Sequence, residues 1–111
     1  MSANASEDGA MVDLLLVDHP AEGVRRLTLN RPEKRNALSH PLRGALLDAL
    51  VAADVDGSVR VTVIRGAGTC FSSGYDLGGG NEGHELPFPT TPGDGQWPRH
   101  VTDGWMGIWD L

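Results

Sequence analysis

The sequence predicts an α/β fold laid out as strand, strand, helix, strand. Three observations predict it. Val24 to Asn30 alternates, with Leu27 and Leu29 on one face and Arg26 and Thr28 on the other. Leu42, Leu46, Ala49, Leu50 and Ala53 recur at helical spacing, as one apolar stripe. Val59 to Ile64 is a β-branched run of strand length, expected to be buried on both faces.

The elements follow in order. Residues 1–10 are small and acidic and read as a disordered tail, leaving residues 11–111 as one partial domain. Asp13 to His19 is apolar enough for a first strand, and Pro20-Ala21-Glu22-Gly23 supplies turn chemistry, so a hairpin joins it to the second. Arg31-Pro32-Glu33-Lys34-Arg35-Asn36 is polar and contains a proline, which makes it a loop. Ser39 is an N-cap, with Pro41 in the first turn where its missing N–H costs little. The helix should stop near Asp56-Gly57. A strand, helix, strand order of this length fits a right-handed crossover onto a sheet.

Residues 78–98 are rich in glycine and proline and read as one long loop. Val101, Trp105, Ile108 and Trp109 fall at i, i+4, i+7 and i+8, so a short amphipathic helix is expected from Thr102 or Asp103. It meets no glycine cap and no closing polar residues, so the chain is expected to stop within an element. There is no internal repeat.

Composition narrows the partners. Nine basic against fifteen acidic residues give a net charge of -6, which disfavours nucleic acid and anionic membranes. A local basic spot at Arg31, Lys34 and Arg35 leaves room for a phosphorylated ligand. The N-terminus lacks a basic start and an apolar run of signal-peptide length, and a lone Cys70 provides no disulfide framework. A cytoplasmic protein is the expectation.

Several candidate sites weaken on inspection. Gly66-Ala67-Gly68-Thr69-Cys70-Phe71 follows a strand, but Phe71 replaces the third glycine of a dinucleotide loop and no phosphate-loop lysine follows. Cys70 has no base nearby and fits a partly buried core position. Glu82, His84 and Glu85 lack metal-ligand spacing, so no metal is expected. Trp105 and Trp109, one helical turn apart, fit core or interface packing, with a substrate-lining role as the alternative. Features converge instead on Gly74-Tyr75-Asp76. Gly74 permits an unusual backbone angle, Asp76 can fix the turn through its carboxylate, and the Tyr75 N–H has no obvious local partner. An ordinary strand-to-helix turn remains the competing reading.

Two segments also carry a resemblance. Leu29-Asn30-Arg31-Pro32-Glu33-Lys34-Arg35-Asn36-Ala37-Leu38-Ser39 resembles the early signature of the enoyl-CoA hydratase (crotonase) family. Val63-Ile64-Arg65-Gly66 followed by Cys70-Phe71-Ser72-Ser73-Gly74-Tyr75-Asp76-Leu77 resembles that family's later G-x-D-L segment. The resemblance implies the N-terminal part of a crotonase-like ββα spiral fold, truncated, and assembly as trimers or pairs of trimers. It implies an acyl thioester of coenzyme A as substrate, with coenzyme A part of that substrate and no separate cofactor. Two backbone N–H groups would polarise the carbonyl in an oxyanion hole, one of them from Tyr75. Ser73, Asp76, Leu77 and Gly78 become candidate acyl-CoA contacts, and Lys34, Arg35 and Asn36 match the stretch beside the nucleotide end. Hydration of a trans-2-enoyl-CoA is the implied reaction, with isomerase, decarboxylase or thioesterase chemistry, or a non-catalytic paralogue, as alternatives.

The chain also departs from the pattern. Many hydratases carry alanine where Tyr75 stands. The second oxyanion turn and the two glutamates that activate water lie beyond the final helix in the family. Gly78-Gly79-Gly80 is not that turn, because it follows Gly74-Tyr75-Asp76-Leu77 directly with no strand between. The chain alone is therefore expected not to hydrate crotonyl-CoA.

Overall fold

In the computed structural model, residues 13–76, 96–109 and 111 are described. The tail at 1–10, Leu77, Gly78, the rest of the glycine/proline stretch to residue 95, and the Glu82, His84 and Glu85 group lie outside them.

The elements are β1 (Leu15–Ala21), β2 (Val24–Leu29), a 3-10 turn at Pro32–Lys34, α1 (His40–Val55), β3 (Val61–Gly66) and α2 (Gln96–Trp109). The sheet order is β1-β2-β3, antiparallel then parallel, so α1 is the crossover connection the sequence predicts. The hairpin turn is tighter than expected. Strand pairing continues through Pro20 to Ala21, with an irregularity between Asp18 and Ala21. Pro20 has no N–H to offer the ladder, which accounts for a break there. Gly23 takes φ +76°, leaving Glu22-Gly23 as the turn.

Leu27 and Leu29 are buried beneath Leu42, Leu46 and Leu50 of α1, and these five form the core. Ser39 caps α1 as predicted, its hydroxyl accepting from the Leu42 N–H. At the far end Asp56 closes the helix. Its Oδ1 accepts from the Ser58 N–H at 2.9 Å and hydroxyl at 2.7 Å, and its Oδ2 accepts from Arg25 at 2.8 Å. Those donors, the Ser58 hydroxyl first, hold the Asp56 carboxyl below its usual range.

Two expectations need correction. β3 runs from Val61 to Gly66 and is not buried on both faces: its residues alternate, and Val61 is 53% exposed. Among the described residues its one strand neighbour is β2, and the core of α1 covers a single face. The last helix begins at Gln96, well before Thr102, because Pro98 falls in its first turn, where a missing N–H is tolerated. Of its apolar stripe, Trp105 and Ile108 pack on the core while Trp109 stays 84% exposed. No helix among the described residues is long and apolar enough to cross a membrane.

Candidate functional site

The two signature segments, distant in sequence, are laced into one unit at the end of the sheet. The chain leaves β2 at Asn30 and bends through Arg35 and Asn36, both left-handed at φ 52° and 56°. That bend is costly for residues with a Cβ, and Asn tolerates it best. It turns the Asn36 amide fully inward, where Oδ1 accepts from the Arg31 N–H at 2.8 Å. Its Nδ2 donates to the carbonyls of Ala67 at 2.9 Å and Cys70 at 2.8 Å. Gly66 makes this close approach possible: a Cβ there would lie 2.4 Å from the Phe71 carbonyl oxygen.

The second segment then runs back along the first. The Ser73 N–H donates to the Arg35 carbonyl at 3.0 Å, and the Ser72 hydroxyl donates to the Asn36 carbonyl at 2.8 Å. That hydroxyl also accepts from the Gly74 N–H at 3.1 Å, tightening the turn. Gly74 sits at φ +100°, a region that strongly favours glycine. Leu38 and Tyr75 form a single parallel bridge: Leu38 donates to the Gly74 carbonyl at 2.7 Å and accepts from Asp76 at 3.1 Å. In such a bridge both bonds come from the neighbours of the bridged residue, so the Tyr75 N–H and carbonyl face the opposite flank. Arg31 completes the lacing with donations to the Ala37 carbonyl at 2.7 Å and Asp76 Oδ2 at 3.0 Å.

The predicted site residues thus divide. Tyr75, Ser73, Lys34 and Arg35 are exposed, and Ser73 is bonded to Arg35 directly. Asn36 and Asp76 have their side chains committed to the loop itself, Asn36 to backbone and Asp76 to Arg31. Leu77 and Gly78 lie outside the described residues. Cys70 is half-buried, as expected of it.

Two contributors went unpredicted. Arg31 reads in the sequence as part of a basic spot, and only its fold partner, 45 residues on, makes it a buried tie. Arg43 is buried in α1, and its signal was available: with Leu46, Leu47 and Leu50 it falls at helical spacing on the apolar side. Its guanidinium lies 5.5 Å from the Trp105 ring centroid, and the Trp105 indole N–H donates to the Tyr75 hydroxyl.

Comparison with known proteins identifies the family. The family profile described as enoyl-CoA hydratase/isomerase matches residues 19–108. A probable enoyl-CoA hydratase of Mycobacterium bovis is 46% identical over 65 residues, covering 59% of this chain and 23% of that protein. The crystal structure of an enoyl-CoA hydratase from Mycobacterium tuberculosis superposes with TM-score 0.57 at 48% identity, over 59% of this chain and 29% of the other. A monofunctional enoyl-CoA isomerase from Mycobacterium smegmatis superposes with TM-score 0.53 at 43% identity, over 55% and 29%. The matched stretch therefore spans less than a third of each of these relatives.

Proposed function

Because this chain belongs to the enoyl-CoA hydratase/isomerase family, we propose that its Ser72–Asp76 turn receives the thioester carbonyl of an acyl-coenzyme A. The Tyr75 N–H is the donor that polarises this carbonyl and stabilises the enolate oxygen as charge develops. The observation that carries this reading is the Leu38–Tyr75 bridge, which turns the Tyr75 amide to the flank away from Leu38 in a backbone hydrogen-bonded on both sides of it. A donor fixed in this way needs no reorganisation during reaction, and one such donor contributes about 3 kcal/mol to transition-state stabilisation.

Lys34 and Arg35, exposed beside Ser73, supply positive charge for the phosphates of coenzyme A. Asn36 and Asp76 act on the ligand indirectly, by holding the loop. The reaction proposed for the whole protein is hydration of a trans-2-enoyl-CoA, the water being activated by carboxylates that the family resemblance places in a later part of the domain. The segment is similar to hydratases and isomerases alike, and isomerisation through the same enolate is the second reading.

Amide NMR on the labelled chain tests the carbonyl site. Crotonyl-CoA should shift Gly74 and Tyr75, whereas free coenzyme A should shift residues near Lys34 and Arg35 and leave Tyr75 in place. Identical shift patterns for the two ligands would remove Tyr75 from the site.

A further inference from the structure

Tyr75 brings more to the turn than an N–H. Its ring is attached to the same residue as the proposed donor, so whatever fixes the ring also shapes the space beside the carbonyl. That ring is not left to swing. The Trp105 indole N–H donates to the Tyr75 hydroxyl, and the two rings sit 6.4 Å apart at 48°. Trp105 is held in turn by the Arg43 guanidinium, buried on α1 and 5.5 Å from its ring centroid. Arg43 Nη2 occupies the space beside Gly104, 2.6 Å from where a Cβ would lie. A side chain from each of α1, α2 and the turn thus meets in one stack, and Tyr75 at its end is 37% exposed.

We propose that the Tyr75 ring, tethered by Trp105, is a wall of the acyl site that makes it prefer an aryl thioester to an alkyl one. The inference rests on the carbonyl-site reading above. An alkyl chain laid against this ring gains only buried area. An aryl group gains in addition an offset-stacked or edge-to-face contact. Because the tether has already restricted the ring, little rotamer freedom is lost when the ligand arrives. The expected preference is about three- to tenfold in Kd, the range an aromatic pair adds beyond its area.

The test is a calorimetric titration of the full chain with benzoyl-CoA, hexanoyl-CoA and free coenzyme A. Benzoyl-CoA should bind about three- to tenfold more tightly than hexanoyl-CoA. Trp105→Phe keeps an aromatic ring but loses the N–H, and should bring that ratio toward one. Tyr75→Leu, which retains the backbone amide, should do the same. If Tyr75→Leu fails to fold, Trp105→Phe and the wild-type ratio still decide. Equal binding of the two thioesters by the wild type, or a ratio unchanged in Trp105→Phe, overturns the wall while leaving the carbonyl site standing. Free coenzyme A binding as tightly as both thioesters overturns the carbonyl site, and the wall with it.

Discussion

Arg31 Nη1 lies 3.0 Å from Asp76 Oδ2, and both side chains are about nine-tenths buried although 45 residues separate them. A buried charge that loses its partner is penalised far more than an exposed one. Arg31→Ala should therefore destabilise the chain by roughly 3 kcal/mol or more. Asp76→Asn keeps an acceptor for Arg31 and should cost less. Urea unfolding followed by circular dichroism measures both, and an Arg31→Ala variant as stable as the parent would mean that the ion pair contributes nothing.

Asn36→Ala removes three hydrogen bonds at once and strands the Arg31 N–H with the Ala67 and Cys70 carbonyls. It also places a less tolerant residue at φ 56°. A loss of about 3 kcal/mol is expected. Asn36→Asp would face both carbonyls with a carboxylate, and should be worse than alanine at neutral pH. Its stability should improve as the pH falls and the carboxylate takes a proton. A Tm series across acid to neutral pH checks the order.

The glycines separate cleanly. Gly66→Ala drives a methyl into the Cys70 and Phe71 carbonyl oxygens, which are backbone and cannot swing aside. It should abolish the cooperative melt. Gly44→Ala, in the middle of α1 with nothing within 4 Å of the new methyl, should stabilise by about 0.5–1 kcal/mol. A Gly44→Ala variant that melts below the parent would contradict this account of α1.

Asp56 makes stability pH-dependent in a definite direction. Its carboxyl is held below its ordinary range by Ser58 and Arg25, so the folded state binds its proton less readily than the unfolded one. The contribution is complete above the usual carboxylate range and is lost as the pH falls through the lowered folded value. Asp56→Asn should therefore melt below the parent at neutral pH, and the gap should close in acid. Parallel Tm curves down to the acid limit would rule this out.

How much of this was legible beforehand depends on how local each cause is. The Ser39 cap, the leucine stripe of α1 and the Leu27–Leu29 face depend on neighbours within a turn or two, and all stand where periodicity puts them. The start of α2 was missed because Pro98 punctuates sequence strongly yet is harmless in a first helical turn. The exposure of β3 was missed because a β-branched run describes what a strand can bury, not which neighbours cover it. In the candidate site, Tyr75 is singled out by the local Gly74-Tyr75-Asp76 pattern and Ser73 only by motif resemblance. The inward turn of Asn36 and the Arg31–Asp76 tie depend on contacts 31 to 45 residues away, beyond the reach of any local pattern.

The bridge between Leu38 and Tyr75 has a kinetic side. It spans the whole of α1 and β3, so it cannot close until the crossover has brought β3 alongside β2. Local helix formation runs ahead of such long-range closures. The Ser72–Asp76 turn should thus be among the last parts of the chain to assemble. A ligand bound at the assembled turn would hold the crossover shut from its far end, slowing hydrogen exchange in β2 and β3.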